Sequence, residues 1–402
     1  MNTTSPFAAI EQAPPDPILG LTEAYNADAS PSRVNLGVGV YQDGSGRVPV
    51  LRAVREAEAR WHDREETKTY LPIDGVPAYN AHVQALLLGE GSSAVAEKRA
   101  VTVQAPGGTG ALRVGADFLR RFFPNSGLWI STPSWENHRA LFEAAGFTVN
   151  QYPYYDPATH GLDSSAMCAA IERIPAGDVV LMHACCHNPS GVDPTPEQWR
   201  TLIGLFQGSG RIPFLDFAYQ GLGDGLDEDA LAVRLFAEAG VPCLVSSSFS
   251  KSFSLYRERV GALTLITASA EEAKRTLSQL KRVIRTNYSN PPSHGAQVVA
   301  TVLGDTDLRA MWLEELAEMR ERIQAMRCAF VAGLAEQGVK QDFRFIERQK
   351  GMFSFSGLSK QQVHRLRQEY SLYIVDSGRV CVAALNPRNI GYVCKAIASV
   401  IA

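Results

Sequence analysis

The chain has 402 residues, 45% hydrophobic and 20% charged, enough to bury a large core in two domains or in one with a satellite. Its formal net charge of -3, with no run of like charges, removes the usual reason to expect nucleic acid or an anionic membrane as partner, and points to small molecules. No stretch reaches about 18 uninterrupted apolar residues, and the start, MNTTSPFAAIEQAPPDP, has no basic or apolar leader; a cytoplasmic protein without a membrane span is expected.

In chain order, residues 1–12 lack a core pattern and read as an arm laid on a partner or as disordered chain. From about Val101 to Thr267, short apolar runs alternate with amphipathic ones: AVTVQA then GGTGALRVGADFLRRFF, GLWIS then WENHRALFEAAG, DVVLMHACC then TPEQWRTLIGLFQ, RIPFLDFAY then DEDALAVRLFAEAG. That alternation predicts βαβ units around a mostly parallel sheet covered on both faces. Beyond Gly304, Trp312, Leu316, Met319, Ile323, Met326, Phe330 and Leu334 recur at spacings of four and three, one core-facing stripe on a helix of roughly 30 residues. An apolar segment around GMFSFSGL, a helix around KQQVHRLRQEY, the strand-like GRVCVAAL and a final helix complete a smaller α+β domain.

Seven cysteines without C-x-x-C spacing read as reduced thiols. Cys185, Cys186 and His187 are consecutive, poor geometry for one tetrahedral metal, so core packing is expected of them. Other polar residues fall just after predicted strands: Gly107 to Gly110, Trp135, Asn188, Asp216 with Tyr219, and Ser248 with Lys251. In open α/β sheets ligands bind outside the carboxyl ends of the strands, so these residues can converge on one crevice.

Taken singly, each has a structural alternative. The GGTG run offers a helix N-terminus to a phosphate, or is a plain turn; it fits neither the G-x-G-x-x-G nor the G-K-[ST] pattern. Asp216 inside FLDFAY would be costly to bury without a cationic partner, which a core arginine or histidine could supply. Lys251 could be a snorkelling lysine, or an amine nucleophile whose pKa is lowered by a neighbouring cation such as Arg259. Together they meet the needs of pyridoxal phosphate: a lysine for its aldehyde, a carboxylate for its ring nitrogen, anion-binding groups for its phosphate and a flat group against its ring.

The stretches GVGVYQDGSGRVPVL, TYLPIDG, QAPGGTGALR, PSWENH, ACCHNPSGVDPT, FLDFAYQG, SSSFSKSFSLYRERVG, RTNYSNPPSHGAQ, GMFSFSGL and SGRVCVA resemble the class I aspartate and aromatic-amino-acid aminotransferases, with the fold type I of pyridoxal phosphate enzymes. The likeness runs in order from about Pro17 to the C-terminus. It implies an arm at residues 1–12, a small domain from 13–47 and 315–402, a large cofactor-binding domain at 48–314, and a homodimer whose active sites lie at the subunit interface.

By the same likeness, Lys251 is the lysine bonded to the cofactor and later the base. Ser248, Arg259, Gly108 and Thr109 hold the phosphate, joined by Tyr70 of the neighbouring subunit. Asp216 faces the ring nitrogen, Tyr219 and Asn188 the ring oxygen, and Trp135 the ring plane. His138 and His183 resemble histidines standing behind that aspartate, or else are satisfied core histidines. Arg379 matches the arginine on the substrate's α-carboxylate, aided by Asn188 and the backbone of Gly39. Arg285 matches the arginine lent by the other subunit to a distal carboxylate.

For the donor, Val40, Thr109 and Asn290 resemble the aspartate branch, Val48 and CVAALN the aromatic branch, and Gln42 and Thr69 neither. Dual use of aspartate and of phenylalanine, tyrosine and tryptophan, with 2-oxoglutarate as acceptor by a ping-pong course, is the expectation; strict aspartate specificity is the alternative. A lyase or decarboxylase of the same fold would not need two carboxylate arginines, and a binding protein without turnover would not need Lys251.

Overall fold

The computed structural model describes residues 5–13 and 19–401. Residues 1–4 of the expected arm and 14–18 of the expected small domain lie outside them.

Seven strands form the central sheet: β1 (Ala100–Pro106), β2 (Leu128–Thr132), β3 (Val149–Pro153), β4 (Val179–His183), β5 (Ile212–Phe217), β6 (Cys243–Ser248) and β7 (Val260–Ile266). Their order is β1-β7-β6-β5-β4-β2-β3. The pairs from β6 to β3 are parallel, whereas β7 runs antiparallel to both neighbours. Periodicity placed the parallel core but gave no sign of this reversed strand, whose seven residues are buried without alternation. Facing side chains of β4 divide between two cores: Val179 and Leu181 join one, Val180 and Met182 the other. Both sheet faces are therefore covered, as a parallel sheet requires.

Four helices matter for the site: α1 (Gly107–Phe122), α2 (Glu136–Ala144), α3 (Ala270–Asn287) and α4 (Thr306–Glu336). In α1, Gly115 lets the helix close on β5, because a Cβ there would stand 2.6 Å from the Phe214 ring. Helix α4 starts at Asp305, whose carboxylate accepts from the N–H groups of Asp307 and Leu308. Its 31 residues match the expected length, and Trp312, Leu316, Met319, Ile323, Phe330 and Leu334 are buried. One position departs from the expected stripe: Met326 is half-buried, and Arg327 beside it is wholly buried. Its guanidinium donates to the carbonyls of Ile346, Gly351 and Phe353 and to the Ser354 hydroxyl. Filling the donor fork with carbonyls is what makes a buried arginine tolerable.

The C-terminal part holds the short strands Phe353–Phe355 and Arg379–Cys381, paired antiparallel, and the helices Lys360–Tyr370 and Ile390–Ile401. The predicted strand GRVCVAAL is shorter than expected, since Val382–Ala384 turns into a 3-10 helix. Near the N-terminus, Val34–Asn35 pairs in parallel with Leu372–Tyr373, which ties the chain's two ends into one layer. No helix of the described residues is long and apolar enough to cross a membrane.

Candidate active site

A cavity of about 250 Å³ opens at the carboxyl end of the sheet, lined by Gly39, Gly108, Thr109, Trp135, His183, Asn188, Asp216, Tyr219, Ser248, Lys251, Arg259 and Arg379, with Leu112, Ala218, Ser250 and Phe353. It lies where the strand-end rule puts it. Ser248 closes β6 rather than following it, because that strand runs three residues further than its apolar stretch predicts.

At one end, α1 begins at Gly107 with φ +74°. A Cβ at Gly107 would stand 2.4 Å from Arg259 Nη2, and one at Gly108 would stand 3.1 Å from Ser248 Cβ. The two glycines thus let a helix N-terminus, an arginine and a hydroxyl close on the same small volume, the ingredients of an anion site. Arg259 donates to the Tyr256 carbonyl at 2.9 Å.

The middle is held by Asp216 on β5. Its carboxylate is 2.9 Å from His138 Nε2 on α2, and Ser134 Oγ is 2.9 Å from Nδ1 of the same ring. Burial pushes the Asp216 carboxyl up, but the hydrogen bond and charge of His138, with the charge of Lys251, outweigh it, so the net shift is downward and the carboxylate stays charged. His183, the last residue of β4, packs 5.1 Å from His138 and 4.4 Å from His187 between ring centroids. Burial lowers its pKa to about 3, so this ring is neutral at physiological pH.

Lys251 is half-buried in the turn between β6 and β7, with Nζ 5.2 Å from the centroid of the Tyr219 ring. Desolvation brings its pKa down to about 8; Asp216 opposes the fall while Arg259 and Arg379 add to it. An amine so placed is an available nucleophile and base near neutrality. Burial raises the Tyr219 phenol, which sits 3.4 Å from the Asn188 amide nitrogen.

Arg379 borders the other end and is 1% exposed. It donates to Asn188 Oδ1 at 3.0 Å and to the Gly37 carbonyl at 2.6 Å, and its guanidinium lies 4.3 Å from the centroid of the Phe353 ring. Its Nε has no protein partner. A buried, incompletely paired guanidinium facing a cavity is a receptor for a carboxylate. Gly39 allows the approach, since a Cβ there would meet Phe353 Cζ at 2.6 Å.

Two expected residues are not brought in. Tyr70 is 88% exposed, and Arg285, near the end of α3, is exposed and donates to the Ser289 hydroxyl. Neither lines this cavity within the chain. The sequence pointed to no role for Phe353 or Ser250, which also line the cavity, whereas His187, expected to pack in the core, is buried. The His187 ring is stacked on Tyr154 at 4.0 Å and bridges the hydroxyls of Ser131 and Ser190 at 2.9 and 2.7 Å.

Comparison with known proteins identifies the family. The profile of the family described as Aminotransferase class I and II matches residues 31–397. The aspartate aminotransferase of Pseudomonas aeruginosa is 55% identical over 395 residues, 98% of this chain and 99% of that protein. The aromatic-amino-acid aminotransferase of the same organism is 48% identical over 398 residues, 99% of this chain and 100% of that one. The crystal structure of an aromatic-amino-acid aminotransferase from Burkholderia pseudomallei, covalently bound to pyridoxal phosphate, is similar with a TM-score of 0.97 and 57% identity, covering 99% of this chain and 100% of that one. A profile spanning nearly the whole sequence, and relatives about half identical from end to end, establish that this chain belongs to the class I and II aminotransferases.

Proposed function

We propose that the protein is a pyridoxal phosphate-dependent aminotransferase that moves the amino group of aspartate, and of phenylalanine, tyrosine and tryptophan, to 2-oxoglutarate in two half-reactions at one site. The observation that carries this is the meeting of a half-buried lysine with a lowered pKa, a charged buried aspartate and a buried arginine around one cavity. The names of the relatives, split between aspartate and aromatic donors, support the dual specificity.

The residues present fit the cofactor. Gly108, Thr109, Ser248 and Arg259 make the phosphate cradle, Lys251 supplies the amine for the aldehyde, and Trp135, Tyr219 and Asn188 surround the ring. Bound there, the cofactor supplies an electrophilic carbon for the amino group and a ring that takes up the electrons of the Cα–H bond. Asp216, kept ionised by His138, holds the ring nitrogen protonated, while His138 and His183 fix the aspartate's position. Arg379, with Asn188 and the Gly39 backbone, holds the α-carboxylate and so sets the direction of the Cα–H bond. Lys251 would hold the cofactor's aldehyde carbon and, as a free amine with a lowered pKa, would take the proton from Cα and return it in the reverse half-reaction.

Tyr70 and Arg285 do not line the strand-end cavity of their own chain, which supports a homodimer in which each chain lends them to its neighbour's site: Tyr70 for the phosphate, Arg285 for the distal carboxylate of a dicarboxylic substrate. We place the large cofactor-binding domain at 48–314, the small domain at 13–47 with 315–402, and the enzyme in the cytoplasm.

Borohydride reduction of the loaded enzyme and peptide mapping should place the pyridoxyl mass on Lys251; finding it on another lysine overturns the site. A donor panel with 2-oxoglutarate as acceptor should show turnover of aspartate, phenylalanine and tyrosine. Turnover of aspartate alone leaves an aspartate aminotransferase and removes the dual specificity.

A further inference from the structure

Away from the cavity just described, the two consecutive cysteines that follow β4 do not behave as sequence spacing predicts. Neighbours in an extended strand point to opposite sides. Cys186 instead has φ +51°, in the left-handed region. The turn brings both sulfurs to the same side, where Cys185 Sγ, Cys186 Sγ and a carboxylate oxygen of Asp229 all lie within 4.8 Å of one another. The residues around the pair leave it little room to move: a Cβ at Gly351 would stand 2.4 Å from Cys186 Cβ, and one at Gly223 would stand 3.1 Å from Cys186 Sγ.

The carboxylate is equally fixed. Asp229 accepts from the backbone N–H groups of Gly221, Gly223 and Asp224 at 2.8 to 2.9 Å. Asp193, close by, accepts from the N–H groups of Cys186 and His187. A cavity of about 280 Å³ gives access, lined by Cys185, Asp193, Asp224, Glu228 and Asp229, with Lys350 as its single cationic side chain. This second cavity is strongly acidic, in contrast to the cationic one at the strand ends, and Lys350 is already engaged with Asp224.

From this arrangement we propose that Cys185, Cys186 and Asp229 form a binding site for a thiophilic divalent cation of the zinc or cadmium class, entered through the acidic cavity. Two thiolates and one carboxylate suit that class, and because Cys185 and Asp229 line the cavity, water from it can complete the coordination, with Cys186 behind them. Charge balances on binding. Each thiol gives its proton to solvent, so two positive charges arrive as two leave, and the buried site carries no more charge than before. The acidic lining draws in a cation and offers nothing to an anion. The class is also soft enough to prefer sulfur, which separates it from magnesium or calcium, whose ligands are oxygens.

The test uses the cofactor-loaded enzyme, reduced and freed of metal by a chelator, titrated with cadmium chloride. One cadmium ion per chain should bind, with thiolate-to-metal absorption in the ultraviolet. Cys185→Ser and Cys186→Ser should each weaken binding at least about tenfold, equivalent to roughly 1.4 kcal/mol. Cys168→Ser with Cys328→Ser, which changes the thiols that are not buried, should leave binding unchanged. The wild-type enzyme provides a check independent of any variant's folding: bound cadmium should protect Cys185 and Cys186 from alkylation, read by peptide mass, while Cys328 stays reactive. The proposal is overturned if the reduced enzyme takes up no cadmium, if uptake survives loss of either cysteine, or if protection falls on other thiols.

Discussion

Lys251 has a lowered pKa because it gives up hydration in the fold and faces two guanidinium groups, with only Asp216 opposing. In the cofactor-free enzyme its capture of pyridoxal phosphate should accelerate as pH rises through about 8, where the amine loses its proton. Asp216→Asn removes the one charge that favours the ammonium, so the midpoint of that profile should move to lower pH; a midpoint that stays or rises contradicts the electrostatics. Stability follows the same sign. Between about 8 and the ordinary lysine value the unfolded chain binds a proton that the folded chain has lost, so the cofactor-free fold should gain stability as pH rises through that window. Asp216→Ala should keep its cofactor, by absorbance, yet lose turnover roughly 30-fold or more, the scale set by about 2 to 5 kcal/mol for removing one partner of a buried charged pair. Near-normal rates would make Asp216 structural. These residues were legible because their chemistry is tied to sequence context: a lysine after SFS, an aspartate inside an apolar strand. Arg327 was not, since periodicity treats a charge beside a stripe as solvated, and only the carbonyls of Ile346, Gly351 and Phe353 show why it is buried.

Among the elements, the start of α1 has the tightest fit. Gly107 combines a positive φ with Arg259 in the space a side chain would need. Gly107→Ala should cost about 1 to 2 kcal/mol for the left-handed backbone and should also push the guanidinium out of the anion cradle. Cofactor affinity, measured by equilibrium dialysis, should fall about tenfold or more while the melting temperature of the cofactor-free enzyme drops by only a few degrees. Equal affinity would separate the cradle from the phosphate. The alternation of apolar runs made most of the parallel strands readable, and the four-and-three spacing gave α4 almost its full length. The short strands Val34–Asn35 and Leu372–Tyr373 were invisible, because two residues hold no period; their pairing depends on contacts across nearly the whole chain. The reversed β7 was hidden for a related reason, since a strand buried on both faces reads alike in either direction.

At the scale of the whole molecule, the exposed Tyr70 and Arg285 make the dimer testable. If each serves the neighbouring site, a Lys251→Ala chain and an Arg285→Ala chain paired in one dimer leave one site with both lesions and one with none. Such heterodimers should recover about half of the wild-type activity toward aspartate, and no recovery would place Arg285 within its own chain's site or overturn the shared-site dimer. Arg285→Leu should lower kcat/KM for aspartate roughly 30-fold or more, from the loss of one charge-assisted pair, and leave phenylalanine nearly unaffected. Equal losses for both donors would show that Arg285 does not meet the distal carboxylate.

The antiparallel course of β7 also bears on which length changes the chain can absorb. Because Ser248 and Gly261 are direct cross-strand partners, the thirteen peptide bonds between residues 248 and 261 form a closed loop, and both Lys251 and Arg259 lie on it. A parallel neighbour would have been reached through a crossover helix whose ends can lengthen without disturbing either strand. Here an added residue has nowhere to go except into the spacing between the amine and the guanidinium. A one-residue insertion within 252–257 should therefore abolish cofactor retention, whereas the same insertion at the end of the Leu231–Glu238 helix, after the exposed Glu238, should be tolerated, so the length of this loop is tied to the cofactor in a way that the length of that helix end is not.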